Sequence, residues 1–229
     1  MNPKEALKIA TIAHGAVGQM RESGVPYIVH PIKVALLART FARRYTYEVC
    51  TAGSVDPSHN SWRVEDLAVA SYLHDVIEDT KVSLPMLYDL ALAEAKSAGD
   101  IHRIRLQLDI VWKMTKPDAH GIAPEWYYQN ISESVPALIV KAADRSANLD
   151  DAFKSLFDPV EKREVKRWAN YYQDTYDCVL PMYKTLPGLR SEIEWRLERI
   201  RKALPRSRAE RAAWVESARM KKIPWGEAA

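Results

Sequence analysis

Between its prolines this chain keeps one rhythm, apolar residues returning every three or four positions, and that rhythm leaves helices as the main fold available to it. Ala6, Ile9, Ala10, Ala13 and Val17 set the pattern. It resumes at Val34, Leu37 and Phe41, at Leu67, Ala70, Leu73 and Ile77, and again at Leu106, Ile110, Val111 and Met114. No section alternates as a strand would, and only 8 of the 229 residues are glycine. The expected class is therefore all-α, a helical bundle. Asn2 as cap, Pro3 in the first turn and Glu5 three residues on mark the start of the first helix. Residues 23–26, Ser-Gly-Val-Pro, break it, and Pro31 can open the next. A loop is expected over Tyr45 to Ser61, one helix over Val64 to Ile77, and another from Ser83 to Gly99.

A net charge of +3 is too close to neutral for a general nucleic-acid binder of this size. The basic residues are unevenly placed, however, and gather between Arg196 and Lys222. This suggests a domain over 1–190 followed by a basic helical C-terminal extension over 191–229. A solvated basic helix explains that extension more simply than RNA binding does. Cys50 and Cys178 lie too far apart for a metal-type pair and fit a reducing, cytoplasmic setting. No apolar run approaches the ~20 residues of a membrane span. The N-terminus lacks the apolar core of a signal peptide.

The richest chemistry lies in Leu73 to Thr80, which reads LHDVIEDT. On a continuous helix His74 and Glu78 would be four apart, as would Asp75 and Asp79, so all four would share one broad face. Burying that many ionisable groups in an apolar helix is costly unless they bind something. An imidazole with a carboxylate suits Mn²⁺, Fe²⁺ or Zn²⁺. Glu78 and Asp79 could then position and deprotonate a water. A bare His-Asp pair is more often a solvated acidic helix end, and two distant residues shift that balance. His30 precedes Pro31 at a helix start. Asp144 follows the apolar run Ile139 to Ala143, although alone it would more often pair with Lys141 or Arg145.

Together these residues give the order H…HD…D, and the surrounding segments resemble a known family. Ala13 to Pro31 is similar to the opening AH-x-GQ-x-R-x-SG-x-PYI-x-HP of the RelA/SpoT hydrolase domain. Leu73 to Thr80 matches that family's LHDVIEDT segment, Met114 to Lys116 resembles its V-TK element, and Lys141 to Leu149 its K-x-ADR-x-x-N-L segment. The likeness runs from about Ala6 to Leu149, and more weakly to Leu189. In size the chain resembles the stand-alone small alarmone hydrolases.

The resemblance implies an HD-domain helical bundle that binds one Mn²⁺ through His30, His74, Asp75 and Asp144. Glu78 and Asp79 would be its catalytic acid pair. The implied reaction is release of pyrophosphate from the 3′ position of (p)ppGpp, leaving GDP or GTP, with no synthetase activity. Nucleotide recognition is implied at Arg21 and Ser23 and at Asn148, one helical turn beyond Asp144. Arg21 could stack on a base. Lys116 and Lys141 are phosphate partners or surface lysines with equal weight, and His14 is read as structural. Glu22, Ala147 and Asp151 depart from common family residues and bear on which nucleotide is taken. An adenosine alarmone, NADPH or a pyrophosphorylated RNA end therefore remains an alternative substrate, and a non-catalytic nucleotide sensor an alternative role. Oligomeric state is left open.

Overall fold

The computed structural model describes residues 1–21, 23–51, 62–116, 125–155 and 170–203. Among these residues the fold is helical throughout, with a single isolated bridge pairing Met20 with Pro26. The expected Glu22 departure, the remainder of the expected loop after Thr51, and the basic residues beyond 203 lie outside the described residues.

Helix α1, Pro3–Ala16, begins where its cap predicts. Asn2 Oδ1 accepts from the backbone N–H groups of Lys4 and Glu5, and Glu5 Oε2 accepts from Asn2 N at 2.9 Å. Its buried face consists of Ala6, Ala10 and Ala13, with His14 at its end. Helix α2 spans Val29–Thr51, starting two residues before the expected Pro31 and continuing past Tyr45, where a loop was expected. Burial explains the extension: Phe41, Ala42 and Tyr45 lie in the core, and Tyr45 faces Trp62 with ring centroids 6.4 Å apart.

Helix α3, Val64–Leu73, is the centre of the first unit and packs against α1, α2 and a later helix, α6. With neighbours on several sides it buries Leu67, Val69, Ala70, Ser71 and Leu73 together. Its first turn also buries Asp66, whose carboxylate is fully engaged. It accepts from Arg63 N at 2.8 Å, Gln107 Nε2 at 2.8 Å and Arg103 Nη1 at 2.6 Å.

The helix expected to run unbroken to Ile77 stops at Leu73. His74 and Asp75 form a turn, and a one-turn helix, α4 (Val76–Asp79), follows. The local reason is a side chain: His74 Nδ1 donates to the carbonyl of Ser71 at 2.8 Å, engaging an acceptor at the end of the helix. Asp75 then sits at φ −100°, ψ −5°, off the helical values.

Helix α5, Leu84–Leu92, starts at the expected Ser83 cap but ends before Gly99. Ser97 caps a new helix there, α6 (Ala98–Met114), by accepting from Asp100 N while donating to its carboxylate at 2.8 Å. Helix α7 covers Glu125–Ser132 and α8 covers Val135–Ser155.

The chain divides into compact units at Met1–Asp144 and Arg145–Ala229. In the second, residues 170–174 are helical, a π turn covers Thr175–Val179 and a 3-10 turn Leu180–Tyr183. Helix α9, Pro187–Ala203, is the last described element and runs across residue 190. Leu189, Ile193, Leu197 and Ile200 form its buried stripe, while Arg196 joins Glu192 at 2.9 Å and Asp150 at 3.2 Å. No helix among the described residues is long and apolar enough to cross a membrane.

Asp66 ties α3 to α6, and removing its carboxylate leaves the Arg103 guanidinium without its ion-pair partner and the buried Gln107 amide with only the Met1 carbonyl. Asp66→Ala is expected to lower unfolding stability by about 3 kcal/mol, read from urea denaturation midpoints at an unchanged slope.

Candidate metal centre

Four donor side chains from separate parts of the first unit meet at one point. His30 comes from the first turn of α2, His74 and Asp75 from the break between α3 and α4, and Asp144 from α8. His30 Nε2 lies 3.3 Å from Asp144 Oδ1 and 3.7 Å from Asp75 Oδ2. His74 Nε2 lies 2.9 Å from Asp75 Oδ2 and 3.7 Å from Asp144 Oδ1. Both imidazoles are buried, at 2% and 1% exposure, and Asp144 is nearly so at 8%. His30, His74 and Asp75 each offer a ligand atom, and these atoms lie within 4.8 Å of one another.

This donor set fits a divalent cation. With Nδ1 of His74 given to Ser71, Nε2 is the nitrogen that faces the two carboxylates, offering a lone pair to an ion or, without one, a proton to Asp75. Lone pairs and carboxylates gathered out of water require positive charge between them, from an ion or from a proton on His74. The electrostatics reflect this requirement. Burial opposes a charge on His74, but Asp75 and Asp144 outweigh it and hold the imidazole well above its ordinary range. Burial likewise opposes ionisation of Asp75 and Asp144, yet His74 beside the first and Lys141 beside the second keep both carboxyls well below theirs.

A second ring of residues holds these groups in place. The Tyr27 hydroxyl donates to Asp75 Oδ2 at 2.5 Å. Burial and the neighbouring Asp75 push that phenol far up, so it remains a donor. Lys141 is buried rather than on the surface, its ammonium 3.3 Å from both Asp144 Oδ2 and the Tyr127 hydroxyl. Tyr127 in turn donates to the Met114 carbonyl at 2.8 Å, which fixes α7 against the end of α6. Asp144 therefore does take Lys141 as an ion-pair partner while also facing the two histidines; Arg145 pairs instead with Asp174 at 2.8 Å.

Glu78 and Asp79 occupy α4, just beyond the donor cluster, in different surroundings. Glu78 is half-buried, which pushes its carboxyl up, while Lys116 pulls the other way. Lys116 reaches it twice, through its backbone N–H to Oε1 and its ammonium 3.7 Å from Oε2. Asp79 is exposed, and its Oδ2 accepts from Gln19 Nε2 at 2.8 Å. Arg21 lies over the Tyr27 ring at 5.6 Å, and Ser23 is exposed in the α1–α2 connection. Asn148 and Asp151 belong to α8 within the second unit, where Ala147 is fully buried. Sequence reasoning assigned no role to Gln19, Tyr27 or Tyr127. The first two lie inside the motif from Ala13 to Pro31 and could have been found there; nothing around Tyr127 announces it.

The HD domain model matches residues 27–149, just over half of the chain, and spans all four donors and the acid pair. This chain belongs to the HD domain family. HD domains bind divalent metals, in keeping with the donor cluster. Relatives of this HD protein include the bifunctional (p)ppGpp synthase/hydrolase SpoT of Escherichia coli K12, 27% identical over 147 residues, covering 64% of this chain and 17% of that protein. A guanosine-3′,5′-bis(diphosphate) 3′-pyrophosphohydrolase of Borreliella burgdorferi is 37% identical over 78 residues, or 34% of this chain and 8% of its own length. The HD chain thus spans less than a fifth of the length of these relatives. A solved metazoan structure, described as an ortholog of SpoT that hydrolyses ppGpp and plays a role in starvation responses, shares the fold. It matches at a TM-score of 0.52 and 18% identity, over 96% of each chain.

If the cluster holds a divalent ion, adding one to chelator-treated protein raises the melting temperature. The expected gain is about 2.7 kcal/mol at a hundredfold excess over the dissociation constant. Asp144→Ala is expected to abolish that gain, and calorimetric titration would give the stoichiometry directly.

Proposed function

We propose that this HD protein is a Mn²⁺-dependent hydrolase that removes pyrophosphate from the 3′ position of (p)ppGpp. The observation that carries this reading is the meeting of His30, His74, Asp75 and Asp144 immediately beside the acid pair Glu78 and Asp79. The names of the relatives point to the same substrate class.

The four donors would hold one ion. When bound, it supplies Lewis-acid charge that favours ionisation of water and offsets the negative charge building on a phosphoryl group. The chain's own residues do the rest. Asp79, exposed and held through Oδ2, orients the attacking water. Glu78, whose burial raises its hold on a proton, is suited to receive and return one during the reaction. The water oxygen bonds to the phosphorus borne on the 3′ oxygen, and that phosphorus–oxygen bond breaks. The water's proton passes to the acid pair and the 3′ oxygen regains one. Pyrophosphate leaves with GDP or GTP. Tyr27 and Lys141 keep Asp75 and Asp144 in position throughout. Arg21, Ser23, Lys116 and Asn148 are assigned to the nucleotide, and Lys141 contributes to phosphate attraction from behind Asp144.

The test is direct. Metal-stripped protein is given Mn²⁺ and ppGpp, and GDP and pyrophosphate are followed by chromatography. Release should require the ion and vanish in Asp75→Ala. Glu78→Gln is expected to lose activity by about 10²- to 10⁴-fold, the usual span for a general acid or base. A preference of several-fold for an adenosine nucleotide, measured beside ppGpp, would overturn the guanosine assignment while keeping the chemistry.

A further inference from the structure

The acid pair is supported unequally. Glu78 is held by Lys116, but Asp79 stands exposed, and its contact with Gln19 comes from a segment 60 residues away in sequence. That contact does not end at the glutamine. Gln19 Oε1 lies 2.6 Å from Nδ1 of His14, a residue at the end of α1 that is 1% exposed. His14 grips Gln19 a second time through the backbone, its carbonyl accepting Gln19 N–H at 3.1 Å. Gly18 makes this possible. At φ +63° it turns the chain sharply after α1, in a conformation an ordinary residue would adopt only with strain.

The direction of each hydrogen bond follows from chemistry. A carboxylate can only accept, so the amide nitrogen of Gln19 must face Asp79 and its oxygen must face His14. An oxygen there can only accept, so Nδ1 of His14 must carry a proton. We propose that His14 and Gln19 are positioning residues, a relay in which protonated Nδ1 of His14 locks the Gln19 amide so that it aims Asp79 at its water. The relay fixes three things together: the side-chain rotamer of Asp79, the face of the Gln19 amide and the tautomer of His14. Both residues act through Asp79.

The proposal rests on the role of Asp79 given above, and spectroscopy tests it separately from turnover. In isotope-labelled wild-type protein, long-range ¹H–¹⁵N correlations of His14 are expected to show Nδ1 protonated. The Gln19 side-chain amide is expected to give a distinct hydrogen-bonded signal that moves in Asp79→Ala. A neutral His14 protonated only at Nε2, or a Gln19 amide indifferent to Asp79, would overturn the relay whatever the activity. Gln19→Glu supplies the kinetic arm. It keeps an oxygen for His14 and removes the donor to Asp79 at nearly constant size. Its kcat on ppGpp should fall by on the order of 10- to 100-fold, the range for outer partners of a catalytic group, with KM and divalent-ion affinity unchanged. Full wild-type kcat in folded Gln19→Glu would sink the proposal. A wild type inert toward ppGpp would defeat the substrate reading instead, and the two spectroscopic signals would still decide the relay.

Discussion

Two carboxylates and two imidazoles share a space from which water is largely excluded, and much of the first unit can be understood as the means of making that tolerable. Asp75 and Asp144 would repel one another, and a buried carboxylate alone would take up a proton. Here they stay ionised because His74 and Lys141 offset their charge and Tyr27 donates a hydrogen bond. The same compensation makes the point receptive to a divalent cation. Each element brought to it carries a donor or a neutraliser: α2 brings His30, α8 brings Lys141 and Asp144, and α7 brings the Tyr127 hydroxyl that steadies Lys141.

Such a cluster needs a rigid centre, and α3 provides it. A helix packed on several sides has few ways to shift, and the Asp66 carboxylate adds a polar registration between α3 and α6. The interruption at His74 and Asp75 then matters more than its length suggests. At this break His74 and Asp75, adjacent in sequence, both reach the point where His30 and Asp144 arrive. Glu78 and Asp79 follow in a separate single turn, so their geometry and that of the His30–His74–Asp75–Asp144 cluster are set by different contacts.

How much of this could be read in advance differs from residue to residue. The start of α1 was legible because Asn2 and Glu5 close a capping box whose signature is local. The all-helical class was legible because the apolar period is kept. The break after Leu73 was not, since Val76 and Ile77 continue the period across it and the cause is a side chain bonding back to Ser71. The continuation of α2 past Tyr45 was hidden for a related reason: Thr46 and Tyr47 read as polar, while the ring of Tyr45 finds a buried place that only the tertiary fold supplies. For the site, the identities of His30, His74, Asp75 and Asp144 were visible as a pattern, and the structure brings them together. The supporting contacts were not visible, because whether Lys141 lies on the surface or beneath Asp144 depends on α7, far from any motif.

Helix α1 rests on the centre of the fold through Ala6, Ala10 and Ala13, residues with no chemistry of their own. Side chains this small let the helix axes approach closely, and extra methyl groups would have to push α1 outward. The end of α1 carries His14 and the chain that continues to Gln19, so outward movement there would be transmitted toward Asp79. In a saturation survey scored by growth or turnover, this alanine row would then stand out beside the ionisable residues of the centre. A reader of such a map would be tempted to count it as part of the catalytic apparatus. Its contribution is spacing, and the sign of that would be a tolerance for glycine and serine coupled with rejection of valine and leucine.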